Sequence, residues 1–151
     1  MIERLRQTYR HLRVAPDDAG LRELPPSARE IVARMSRPDR RHALATLAAL
    51  REAGADEELC LIGSLHDMGK PIETRLWHRV AAVLVPGLAR LGPRALREYL
   101  DHAARGARMA RALGLSERAI RLIDRHHEPP GSADERLLSR ADHREGRSSR
   151  A

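Results

Sequence analysis

Residues 59–71 read LCLIGSLHDMGKP. Apolar or small residues from Leu59 to Leu65 lead straight into His66 and Asp67, and Gly69, Lys70 and Pro71 close the stretch. Leu59 and Ile62 recur at helical spacing and His66 continues their stripe, so the spacing predicts a helix that carries its polar pair toward the interior. An imidazole or carboxylate on an apolar face is costly unless it is hydrogen-bonded, paired or bound to a metal. Adjacent helix residues diverge by about 100°, so His66 and Asp67 reach one ion only if it lies against the helix edge. Gly69 reads as the C-terminal cap, which places the pair in the last turn, where free carbonyls and the negative dipole end favour a cation. Asp67 has two carboxylate oxygens, enough to bridge two ions.

Working outward, helical periodicity recurs almost from end to end, and no segment reads as a strand. Toward the N-terminus, Asp39 is expected to cap a helix carrying His42, Leu44, Leu47 and Leu50 up to Gly54, after Pro38 has ended the helix before it. That earlier helix starts past Pro25 and Pro26, where Ser27 and Glu30 have capping-box spacing. A first stripe uses Ile2, Leu5, Tyr9 and Leu12. Toward the C-terminus, Leu76, Val80, Val83 and Leu84 mark another helix, and Trp77 reads as a core residue. Pro93 then opens one long helix through Leu96, Tyr99, Leu100 and Ala107 to Gly114. Ser116 caps the next, which Pro129 and Pro130 stop. Asp134 is expected to cap a last helix with Leu138, Ala141 and Asp142. The fold class is therefore all-α.

A chain of 151 residues fits one domain and buries roughly two thirds of its unfolded surface. Aromatics make up only 2%, with no Phe, so Leu, Ala, Ile and Val must fill the interior. Such residues favour packed helices over sheets. Cys60 is the sole cysteine, which excludes an intramolecular disulfide and is compatible with a reducing compartment. No run of about 18 apolar residues is present to cross a membrane, and MIERLRQTYR offers no signal-peptide core. The expected location is cytoplasmic. The net charge of +7 comes from Arg spread over nearly every segment, which reads as the solvated faces of helices. No aromatic interleaving of the stacking kind accompanies it, so nucleic acid is disfavoured as a partner, while small anions are favoured.

The eight histidines are informative by placement. His126 follows Leu122 at i+4, Asp142 follows Leu138 at i+4, and His42 opens an apolar stripe. One such residue is ordinarily a satisfied core or helix-end group. Several from different helices are how helical proteins build metal sites in their interior. His11, His78 and His143 lack such context and read as surface or structural. The chain uses Arg at every basic position but one, and that single Lys, Lys70, falls three residues after Asp67.

LHDMGKP closely resembles the motif of the HD superfamily in its HDIG-like form. The rest of that family's pattern follows in order over roughly residues 39–143: His42 in DRRHAL, His102 with Gly106 resembling an H-x3-G element, the doublet His126-His127 before Glu128, and Asp142 in LLSRAD. The resemblance implies a single-domain HD-type helical bundle with a metal site in its core cleft. It implies that His42, His66, Asp67 and Asp142 hold one divalent metal, and that His102 and His126, with bridging Asp67, hold a second. Iron, manganese, cobalt, magnesium and nickel all suit such ligands. Lys70 would contact substrate phosphate, and His127 is either a further ligand, a substrate contact or a residue supporting a ligand. The D-G-x-G-Y-P stretch of the cyclic dinucleotide phosphodiesterase branch is replaced by PPGSADERLL, which disfavours that substrate.

The implied activity is metal-dependent hydrolysis of a phosphoester or phosphoanhydride in a small anionic, nucleotide-like substrate, with Asp67 and Lys70 as the catalytic groups. The same ligand pattern is similar to that of mixed-valent di-iron oxygenases in the superfamily, and metal identity discriminates the two. A non-catalytic HD regulatory module is the third reading, which silent ligand substitutions would favour. Residues 1–38 are expected to pack as N-terminal helices on the metal-binding core at 39–143, with 144–151 a disordered tail. The oligomeric state is not legible in the sequence.

Overall fold

The structure is a computed structural model that describes residues 18–72, 92 and 94–144. The expected stripes at Ile2–Leu12 and Leu76–Leu84, Pro93 as a helix opener, Trp77, His11, His78 and most of the expected tail lie outside the described residues. Seven α-helices and one 3-10 turn, and no strand, form the described residues.

The centre is α3, Glu57–Leu65. After the exposed Glu57 and Glu58 of its first turn it is apolar or small on every side, and a stretch of that kind must be covered all round. α1 (Pro26–Arg34), α2 (Arg37–Glu52), α6 (Glu117–Arg125) and α7 (Ala133–Asp142) all pack against it. Leu50, Leu59, Ile62, Leu65, Leu122, Ile123 and Leu138 are its fully buried neighbours and members, an aliphatic core as the composition requires. Gly63 lets α2 approach, because a Cβ there would collide with the Leu50 side chain. α4 (Arg94–Leu100) and α5 (His102–Ala112) follow one another, and α5 lies along α6. Among the described residues no helix is long and apolar enough to cross a membrane.

Two helix ends fall where the glycines put them. Gly54 and Gly114 have φ of 72° and 69°, and the bonds Ala55 N–H to Leu50 O and Leu115 N–H to Ala110 O close Schellman caps on α2 and α5. Ser116 caps α6 by accepting from Ala119 N–H, and Asp56 caps α3 by accepting from Leu59 N–H.

Other boundaries differ from expectation. Pro38 does not end α1: it occupies the first turn of α2, where its missing N–H is harmless. Ser36, not Asp39, is the N-cap, and Asp39 is drawn inside, where it accepts from the Ser36 hydroxyl. Ser27 makes no cap because α1 begins one residue earlier, at Pro26, and Glu30 pairs with Arg34 instead. Ser132, not Asp134, caps α7, in a capping box with Glu135. Asp134 instead binds Arg118, which also holds Asp56 and Glu58 and so ties the starts of α3, α6 and α7 together. The long helix expected from Pro93 is broken at Asp101 into α4 and α5. At the break, the ring of His102 bonds to the Tyr99 carbonyl.

Candidate metal centre

His66 is the C-cap of α3 and Asp67 lies one residue beyond it. The chain there makes a turn closed by Met68 N–H to Leu65 O and Lys70 N–H to Asp67 O. The pair is thus not confined to two directions about 100° apart on a helix. It converges, with His66 Nε2 3.5 Å from Asp67 Oδ2. Gly69 is not a left-handed cap, as no positive φ occurs there. Its missing Cβ serves a close approach: a Cβ would collide with the His102 carbonyl oxygen and lie 2.5 Å from Gly106 N. Gly106 in turn faces Ile123 and Gly69. The two glycines let the turn settle directly on α5.

That contact brings the sequence-predicted residues from five elements to one place. On one side, His42 of α2 and Asp142 of α7 join His66, with His42 Nε2 2.6 Å and His66 Nε2 3.3 Å from Asp142 Oδ1. On the other, His102 of α5 and His126 at the end of α6 come within 3.2 and 3.6 Å of Asp67 Oδ1. His127 places its Nε2 2.9 Å from His102 Nε2. His42, His66 and Asp142 form one group of potential ligands and His102, His126 and His127 another, and a third, His66, Asp67 and His126, joins them. Asp67 stands between them, Oδ2 toward the first and Oδ1 toward the second.

Three of the rings are aimed by one local device. His66 Nδ1–H donates to Gly63 O, His102 Nδ1–H to Tyr99 O and His126 Nδ1–H to Ile123 O, at 2.8, 2.6 and 2.6 Å. Each acceptor is a carbonyl three residues back near a helix end, where it has no helical partner. A neutral ring that donates from Nδ1 presents a lone pair at Nε2, the arrangement that orients metal-bound histidines.

The residues fit a cation. Asp67 is 2% exposed, and its Oδ1 and the His126 Nε2 are buried without any hydrogen bond. Both present lone pairs to each other, which is unfavourable in a dry interior unless something positive lies between them. Burial opposes the Asp67 carboxylate, yet the Lys70 ammonium beside it holds it ionised well below the usual range. Burial likewise opposes Asp142, and His42 and His66 keep it ionised. Burial pushes His126 down, and burial with His126 and His102 pushes His127 down to about 3. Neutral imidazoles beside ionised carboxylates are the state that binds metal.

Lys70 is also here, its Nζ 2.5 Å from Asp67 Oδ2 and 3.8 Å from Asp39 Oδ1. Burial disfavours the ammonium, but Asp67 and Asp39 raise its pKa above the ordinary lysine value. The sequence reading missed Asp39 as its partner, although Asp39 lies one turn before His42 on the same face. It also missed Gly69 and Gly106 as a contact pair. His143 is exposed and stays outside all three groups.

The sequence model of the HD domain family matches residues 40–147. No curated protein and no solved structure matches the chain significantly.

Proposed function

Because this chain belongs to the HD domain family, whose members generally bind divalent metals and are commonly phosphohydrolases, we propose that it is a dinuclear metal-dependent phosphohydrolase. Its substrate is a phosphoester or phosphoanhydride of a nucleotide-like molecule, and the His-Asp-Met-Gly sequence supports the HDIG-type reading. The observation that carries this is the position of Asp67, with His42 and His66 facing its Oδ2 and His102 and His126 facing its Oδ1.

His42, His66, Asp67 and Asp142 would hold one ion, and Asp67, His102, His126 and His127 the other. When bound, two divalent ions supply Lewis-acid polarisation of a phosphate and activation of water. The chain's own part is orientation and charge. The carbonyls of Gly63, Tyr99 and Ile123 fix three imidazoles. The Lys70 ammonium, kept charged by Asp67 and Asp39, stands at the edge of the donor set and would bind a phosphate oxygen as a compact point charge.

The test is elemental analysis of the purified protein with an Asp67→Ala control, followed by hydrolysis of p-nitrophenyl phosphate and bis(p-nitrophenyl) phosphate after loading with manganese, iron or cobalt. The expected result is about two metal equivalents, lost in the variant, with hydrolysis that requires them. Failure to bind any of these metals sinks the proposal.

A further inference from the structure

Lys70 is the single lysine of the chain, and it lies between two carboxylates. Its Nζ is 2.5 Å from Asp67 Oδ2 and 3.8 Å from Asp39 Oδ1. The first contact is a formed hydrogen bond and the second falls just short of one. Asp67 Oδ2 is also the oxygen that faces His42 and His66, at 3.9 and 3.5 Å from their Nε2 atoms. It thus serves Lys70 and the first donor group at once. Asp39 is 3% exposed. The Ser36 hydroxyl donates to its Oδ2, while its Oδ1 faces Lys70. Ser36 is itself fixed as the N-cap of α2, where its oxygen accepts from Asp39 N–H. Ser36 and Asp39 precede residue 40, where the family match begins, so this pair lies outside the matched region.

We propose that Asp39, held by Ser36, is a positioning residue for Lys70: when Asp67 takes up metal, the Lys70 ammonium passes from Asp67 to Asp39. The proposal rests on the metal-binding reading of the adjoining donor groups. A carboxylate oxygen that ligates a dication is a poorer hydrogen-bond acceptor, and a neighbouring ammonium is repelled by the same positive charge. Lys70 is therefore driven off Asp67 Oδ2, and Asp39 Oδ1 lies only about 1 Å beyond charge-assisted hydrogen-bond distance. The flexible four-carbon stem covers that distance, and a compact ammonium donates in several directions. A planar arginine fork would have to break a paired contact to make the same exchange, which gives a reason for the one lysine in a chain otherwise basic through arginine. With Asp39 in place, the displaced ammonium keeps a counter-charge at a position where only 13% of its side chain is exposed.

The experiment exploits the single lysine: the full chain made with isotopically labelled lysine gives one set of lysine signals in proton–carbon magnetic resonance. Spectra are recorded in chelator and after loading with zinc, a diamagnetic ion that takes nitrogen and carboxylate ligands, with elemental analysis of each sample. In chelator, wild type and Asp39→Asn should give the same Lys70 signals, since Asp67 holds the ammonium in both. With zinc, the wild-type signals should move while the two ε-methylene protons stay distinct, as in a fixed side chain. In zinc-loaded Asp39→Asn, at unchanged zinc content, those two protons should merge, as in a freely rotating one. Zinc uptake with Lys70 signals that stay in place, or that are identical in wild type and Asp39→Asn, overturns the transfer and leaves the metal reading standing. Absence of zinc uptake by the wild type overturns both. If Asp39→Asn does not fold, Ser36→Gly, which a helix start tolerates, removes the hydroxyl that holds Asp39 and should loosen the Lys70 signals in the zinc-loaded state alone; unchanged signals there overturn the proposal.

Discussion

Gly69 and Gly106 meet backbone to backbone, with room for no Cβ on Gly69. This contact seats the turn bearing Asp67 against the helix bearing His102, and so sets the 3.2 Å separation of Asp67 Oδ1 and His102 Nε2. Gly69→Ala would press on the His102 carbonyl and Gly106 N, neither of which can rotate away. It is expected to cost about 3 kcal/mol and to loosen the donor group containing His102. Gly106→Ala would bring its Cβ to 2.9 Å from the Cγ2 methyl of buried, β-branched Ile123, with Gly69 at ordinary contact distance. The gain of about 1 kcal/mol from Ala over Gly in a helix offsets part of that clash, so it should destabilise by less than Gly69→Ala. Denaturant unfolding of both variants checks the contrast, and equal losses would contradict it.

Substitutions in the two donor groups should be separable by metal content. His42→Ala or Asp142→Ala should remove one equivalent and His102→Ala or His127→Ala the other, whereas Asp67→Asn should remove both. Elemental analysis decides it. Loss of both equivalents from every variant would mean that the two groups fill as one unit.

Metal removal should lower thermal stability, because ions that bind only the folded chain stabilise it by mass action. One site at a hundredfold excess over its Kd contributes about 2.7 kcal/mol, or roughly 5–10 °C in Tm for a chain of this size. A thermal scan with and without chelator measures it. An unchanged Tm would show that the buried lone pairs of Asp67 and His126 find another partner.

Lys70→Met should leave metal content intact and reduce hydrolysis by roughly a hundredfold to a thousandfold, the usual cost of losing one preorganised donor at a developing oxyanion. Lys70→Arg should not restore it, because the planar guanidinium is larger than the space between Asp67 and Asp39 allows for an ammonium. Loss of metal along with activity would instead assign Lys70 to holding Asp67 in place.

Arg118→Ala should lower Tm by a few degrees near neutral pH. The guanidinium holds the pKa of Asp56 below its ordinary value of 3.8, and the Ser116 hydroxyl first and the guanidinium second hold that of Glu58 below 4.5. Groups with depressed folded-state pKa values stabilise the fold above their unfolded pKa and lose that contribution as pH falls through the folded one. The difference between wild type and Arg118→Ala should therefore be full above about pH 5 and shrink toward acid, and it should also shrink with salt because the network is partly exposed.

Among the described residues, the sequence by itself determined the helical class, several helix ends and the set of histidines and aspartates that the fold gathers. Periodicity and helix stops are local, so Gly54, Gly114, Ser116 and the paired prolines could be read without a fold. His42, His66, Asp67, His102, His126 and Asp142 stood out because polar groups on apolar stripes are costly wherever they lie. Capping details were read less well. Ser, Asp and Pro near a helix start suit several positions in its first turn, and burial of Asp39 and the Arg118 network chose among them. Only the tertiary structure decided that Asp67 leaves the helix to face two donor groups, that His127 turns toward His102, and that Gly69 serves packing and not capping. These depend on contacts between segments far apart in the chain, where backbone approach and charge balance act across space and leave no spacing in the sequence to read.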